Sequence, residues 1–233
     1  MNNPTITILG SCRQESLYKK YNITSIQEEL SYPQYSKEVL EVLNYCLFDN
    51  LTPQQTMIFR TPVLNNQPIQ NNPFLNEIEK SDIIFIEIAS KKYYKYKNLY
   101  HHHYQFFEYF DYDDNETLQE KYNRNEKEVE TGVQEDEEII KDLNKIVELL
   151  PSKKIIFVGH LVTKKQGDRY DLLTLTKNFC LENNILFIDP MEELLKNDFS
   201  VDELVSDADT IFAHYTRKGH EEILKVYEKY INI

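Results

Sequence analysis

The run Asp82-Ile-Ile-Phe-Ile-Glu-Ile-Ala89 limits the fold more than any other stretch of this chain. Successive side chains of a strand point to opposite faces, so a run apolar at nearly every position has to be covered on both sides. That is the pattern of a central strand in a parallel sheet, buried between layers of helices. The rest of the chain is therefore expected to supply flanking strands and the helices that cover them.

The flanking pattern fits. Thr5–Leu9, Lys154–Val158 and Ile185–Ile188 are short β-rich runs, and helical spacing separates them. Val39, Leu40, Leu43, Cys46 and Leu47 recur on one stripe after Ser36, a residue able to cap a helix, which makes Cys46 a core residue. A second stripe, Ile139, Ile140, Leu143, Ile146, Val147 and Leu150, stops before Pro151. Further helices are expected at Leu172–Leu181, at Met191–Leu195 and after Thr216, and another strand at Thr56–Val63 ahead of an Asn/Pro/Gln-rich loop at 64–73. Such alternation implies right-handed crossovers and an α/β fold: a doubly wound, flavodoxin-like parallel sheet in three layers. At 233 residues, one domain spanning 1–233 is expected, with an acidic insertion at about 101–135. Residues 111–142 hold 13 acids against 4 bases, and little hydrophobic periodicity appears before Ile139.

Composition removes several classes of function. A net charge of −13 argues against nucleic acid, whose binding draws on concentrated Lys and Arg. The apolar runs are too short to span a bilayer, and the first residues lack the basic and apolar regions of a signal peptide. Cys12, Cys46 and Cys180 are widely spaced and cannot all pair, which suits a reducing, cytoplasmic setting. Neither a Gly-x-Gly-x-x-Gly nor a Walker-type loop is present, and no cofactor is required by any motif. His101-His102-His103 does not read as a metal site, because three consecutive side chains do not converge on one ion. The acidic segment lacks the Asp-x-Asp-x-Asp-Gly pattern of a calcium loop.

In an open α/β sheet, ligands bind beyond the carboxyl ends of the strands. That rule brings together Gly10-Ser11-Cys12 after the first strand, Ser90 after the central one, Gly159-His160 and the segments following Ile188. Ser11 and Gln14 have capping-box spacing, which places Cys12 at the start of a helix, where free N–H groups and the dipole favour a thiolate. His214 precedes a helix that Thr216 can cap, and it is expected to take the proton from Cys12 while Asp209 or Asp207 orients its ring. The plainer readings are a packed cysteine, a loop histidine bonded to its own backbone, and His220 as a packing or capping residue.

Ile-Leu-Gly10-Ser11-Cys12, followed far downstream by His214-Tyr-Thr-Arg-Lys-Gly-His220, resembles the first and last motif blocks of the SGNH/GDSL hydrolase superfamily. The resemblance puts Ser11 at that superfamily's Asp position and Cys12 at its nucleophile. The Gly-x-Cys form is similar to GSCFA-type proteins and to WcbI-type polysaccharide-biosynthesis proteins, which are associated with coenzyme A. Two departures stand out. Ile211 occupies the position of the acid three residues before His214, and Ala89-Ser90-Lys91-Lys92 replaces Gly-x-Asn-Asp, with its oxyanion-hole Asn. Ser90 and backbone amides at Cys12 or Arg13 are the expected substitutes.

The resemblance implies acyl transfer or ester hydrolysis on a small-molecule or glycan substrate, with acyl-coenzyme A as a co-substrate. Ser11, Arg13, Ser90 and His160 are then oxyanion or substrate contacts, and Arg13, Lys91, Lys92, His160 and Arg169 are candidates for phosphate groups. The rival reading is a catalytically silent binding protein with the same cleft. Thiol redox chemistry is weaker, since no Cys-x-x-Cys pair exists.

Overall fold

The central apolar run forms the middle of a five-stranded parallel sheet in a computed structural model that describes residues 3–103, 129–208 and 213–233. In chain order the strands are β1 (Thr5–Leu9), β2 (Asn22–Ile23), β3 (Ile83–Glu87), β4 (Lys92–Tyr96), β5 (Leu99–Tyr100), β6 (Glu130–Val133), β7 (Lys154–Val158), β8 (Leu186–Ile188), β9 (Val205–Ser206) and β10 (His214–Tyr215). The main helices are α1 (Ser36–Phe48), α2 (Asp136–Leu149), α3 (Asp168–Glu182), α4 (Pro190–Leu194) and α5 (Arg217–Ile231). The large sheet runs β2-β1-β3-β7-β8, all parallel, with β3 hydrogen-bonded to β1 on one side and β7 on the other.

Alternation along the strands divides the interior into two cores, as a period of two requires. Ile84 and Ile86 of β3 pack with Leu43 of α1, Leu143 and Ile146 of α2 and Phe179 of α3. Ile83 and Phe85 pack on the opposite face with Leu194 of α4 and Ile223 and Tyr227 of α5. The fold is therefore a three-layer, doubly wound α/β sandwich. The chain passes from β1 to β2 on one side and returns to β3 on the other, so the reversal of strand order lies between β1 and β3. A ligand crevice is expected there.

Local differences from the sequence reading have physical causes. Thr56–Val63 is a 3-10 helix (Pro53–Ile58) followed by a short α-helix (Arg60–Leu64), not a strand. Thr52 and Gln55 make a reciprocal capping box with Pro53 at the first helical position, and this start signal outweighs the β-branched residues that follow. Pro62 falls in the first turn of the second helix, where no N–H is needed. Ser36 is the first residue of α1 and not its cap; its hydroxyl donates to Asp142 of α2 at 2.8 Å, tying the two helices together.

The Tyr-rich stretch after Lys91 folds as a small antiparallel sheet, β5-β4-β6, with Lys92 opposite Val133 and Tyr94 opposite Thr131. Its third strand comes from the expected insertion at about 101–135, most of which (104–128) lies outside the described residues. No helix among the described residues is long and apolar enough to cross a membrane.

Candidate active site

The turn after β1 is built for close approach to β3. A Cβ at Gly10 would lie 2.7 Å from the Cβ of Glu87, so only glycine fits where the two strand ends meet. Beyond it, the backbone amide and the hydroxyl of Ser11 both donate to Glu87 Oε2, at 2.9 and 2.5 Å. From the other side Gln27 Nε2 donates to the carbonyls of Gly10 and Ser11, at 3.0 and 2.8 Å, and Gln27 Oε1 accepts from the Tyr18 hydroxyl. Ser11 also caps the following helix (Cys12–Lys19), its hydroxyl accepting from the Arg13 amide; this helix is 3-10. The Ser11 amide and hydroxyl and the carbonyls of Gly10 and Ser11 are thus engaged, and Cys12 is left half-buried after them.

The opposing side chain arrives from the far end of the chain. Thr216 caps α5, accepting from the Gly219 amide at 3.0 Å and donating to the Glu203 carbonyl at 2.6 Å. A Cβ at Gly219 would come within 2.1 Å of the Leu204 carbonyl oxygen, so the glycine lets α5 start against that backbone. Just before the cap, β10 pairs with β9, His214 opposite Ser206. Arg13 reaches across and donates Nε–H and Nη2–H to the carbonyl oxygen of Ala213, at 3.1 and 2.8 Å. With the loop so held, His214 Nε2 stands 3.8 Å from Cys12 Sγ.

A buried polar cluster lies beneath this pair. Glu87 Oε1 meets His160 Nδ1 at 2.8 Å, and both side chains are almost fully buried. Burial alone would push the Glu87 carboxyl up, but the His160 hydrogen bond, the Arg13 charge and the Ser11 hydroxyl reverse that and hold it down at about 2. Burial lowers His160, against the pull of Glu87. The geometry sets a His160 Nδ1–H donor against the Glu87 carboxylate. Half-buried Arg169, in the first turn of α3, sits within the field of Arg13 and Glu87, and burial lowers it.

Cys12 itself behaves differently from the helix-terminus expectation. Partial burial pushes the thiol up; the Arg13 charge opposes this, while the charges of Glu15 and Glu87 add to it. The short 3-10 helix does not offset desolvation, and the thiol stays above its ordinary value. His214 Nε2 faces it at 3.8 Å.

The remaining candidates divide. The Ser90 hydroxyl accepts from the Lys92 amide at 2.9 Å and the Ser90 amide donates to the Gln34 carbonyl at 3.0 Å, so Ser90 shapes the turn after β3. Lys91 pairs with Asp136, and Lys92 lies over the Tyr94 ring. Asp209 lies outside the described residues; Asp207 sits at φ 52° in the turn after β9. His220 packs edge-on against Tyr215. His101 and His102 are buried, and His101 Nδ1 bonds the His102 carbonyl oxygen. Among the described residues no group of three or more His, Cys, Asp or Glu is arranged to hold a metal ion.

Glu87 and Gln27 were not singled out from the sequence. Glu87 did carry a signal: within Ile83–Ala89 it is the one ionisable residue of an otherwise apolar strand, at the strand's carboxyl end, where a buried charge needs a reason. Gln27 carried none.

No protein-family model matches the chain, and comparison with curated proteins finds no match. Among solved structures it is similar to a lipase/acylhydrolase from Enterococcus faecalis, at 13% identity over 99% of this chain and 96% of that one, with a TM-score of 0.48. It is similar to an acetylxylan esterase from Geobacillus stearothermophilus, at 13% identity over 100% and 95%, with a TM-score of 0.43. A GDSL-like lipase from Bacteroides thetaiotaomicron gives 10% identity over 98% and 88%, with a TM-score of 0.46.

Proposed function

We propose that this protein transfers or hydrolyses an acyl group through a Cys12–His214 pair. The observation that carries the reading is the 3.8 Å approach of Cys12 Sγ to His214 Nε2, at the strand-order reversal where an α/β sheet offers its crevice. His214 Nε2 takes the thiol proton as Sγ attacks the acyl carbon. The tetrahedral intermediate collapses to a thioester, and the same proton passes to the departing alcohol or thiol. Water or an acceptor hydroxyl, deprotonated in turn by His214, then displaces the acyl group from Sγ. The backbone amide of Cys12 and the Ser90 hydroxyl are the proposed oxyanion donors.

A thiol exchanges readily with thioesters, so acyl-coenzyme A is the donor proposed for transfer, and a carbohydrate-like hydroxyl the acceptor, as in glycan biosynthesis. Asp209 remains the proposed partner for the His214 ring.

The test is intact-protein mass spectrometry after mixing the chain with acetyl-coenzyme A or, separately, an activated acetyl ester, with Cys12→Ala as control. An acetyl adduct lost only in the variant supports the nucleophile, and the donor that loads it separates transferase from esterase. No adduct and no turnover would favour a silent binding protein, a reading to which the raised thiol pKa lends weight.

A further inference from the structure

Building on the Cys12–His214 reading, we propose that Arg13 is a positioning residue: it sets the separation of the two reacting side chains by fastening the peptide before the base to the residue after the nucleophile. The two halves of the site are held by different parts of the fold. Cys12 follows a turn fixed by Glu87 of the central sheet and by Gln27 of the helical segment Ile26–Leu30. His214 lies on a two-residue strand that pairs with an equally short one outside that sheet. A ladder that short is a weak restraint by itself.

The Arg13 fork ties them together. Nε–H and Nη2–H both point at the Ala213 carbonyl oxygen. Two donors in a rigid plane fix the carbonyl's direction as well as its distance, and so fix the peptide plane that leads into His214. Rotation of that plane would swing the imidazole away from Sγ.

Arg13 is only 7% exposed, so its donors serve the interior and not solvent. The cost of burying its charge is met by Glu87, linked through Ser11 Oγ, which lies 3.4 Å from Arg13 Nη1 and donates to Glu87 Oε2. The guanidinium is thus anchored at one end to the sheet and at the other to the base's own backbone. Lysine would keep the charge but has one nitrogen, and it cannot reproduce the fork.

The test is a double-mutant cycle read by alkylation of Cys12 with iodoacetamide across pH 6 to 10, followed by peptide mass mapping. At neutral pH the wild type is expected to react at least about tenfold faster than His214→Ala, because the base draws off the thiol proton. Arg13→Lys is expected to lose most of that advantage, while Arg13→Lys combined with His214→Ala matches His214→Ala within about twofold, the non-additivity of groups acting through one contact. Arg13→Lys with a wild-type profile overturns the proposal, as does an equal slowing in both backgrounds, which would mean that Arg13 acts by charge or by general folding. Identical wild-type and His214→Ala profiles would sink the Cys12–His214 reading itself. If Arg13→Lys does not fold, the wild type still decides: the Arg13 Nε–H resonance is expected to be protected from solvent exchange and coupled to the Ala213 carbonyl carbon, and rapid exchange would overturn the clamp.

Discussion

Glu87 Oε2 accepts both the amide and the hydroxyl of Ser11, so a carboxylate at the end of β3 fixes the conformation of the turn at the end of β1. Because His160 and Arg13 complete its surroundings, the cluster is a buried charge set whose members depend on one another. Such sets are costly to break from one side, since the partner is left buried and uncompensated.

Glu87→Gln is therefore expected to destabilise the fold by about 3 kcal/mol, read as a lower urea midpoint at pH 7. The acid limb has a definite sign. Glu87 is held down at about 2 against an ordinary 4.5, so its contribution is complete above pH 4.5 and is lost as the pH falls through 2. A variant as stable as the wild type at pH 7, or equally sensitive between pH 4.5 and 2, would mean that the cluster does not act as described.

A second window lies higher. Burial, opposed by the bond to the His102 carbonyl and reinforced by His103, holds His101 at about 4 against an ordinary 6.5. The unfolded chain therefore takes up this proton first, so stability is full above pH 6.5 and erodes as the pH falls towards 4. Glu38 works in the opposite sense: burial raises it to about 8, which favours the folded state as the pH falls from 8 towards 4.5. A His101→Asn variant isolates the histidine. Its unfolding free energy, measured by urea titration, should fall less than the wild type's between pH 7.5 and 4.5, by an amount on the order of 3 kcal/mol. Equal slopes would count against a neutral, buried His101.

How much of this was legible in the residues depended on how local the signal was. Asp82–Ala89, Lys154–Val158 and the stripe from Ile139 to Leu150 speak for themselves, because burial on one face or two leaves a periodic trace. Thr56–Val63 misled because β-branched residues are a weaker prior than the Thr52-Pro53 helix start just before them. The strand at Glu130–Val133 was missed because it finds its partner, Lys92–Tyr96, across a long insertion. The approach of Cys12 to His214 was readable from turn and cap chemistry. Gln27, 16 residues from the carbonyl it holds, was not, since nothing local distinguishes a buried glutamine from an exposed one.

The reactivity of Cys12 gives the last prediction, and its direction runs against the helix-terminus argument. With His214 removed, the thiol is left with partial burial, the opposing Arg13 charge, and the charges of Glu15 and Glu87. Its alkylation by iodoacetamide in His214→Ala should therefore show a midpoint above the ordinary thiol value of about 8.5. Adding Glu15→Gln removes one of the two negative charges and should move that midpoint down, because less repulsion opposes the thiolate. Glu15 is exposed, so the shift should shrink as salt is raised. A midpoint below pH 8 in His214→Ala would mean that the turn itself activates the thiol, and the requirement for a base at His214 would fall.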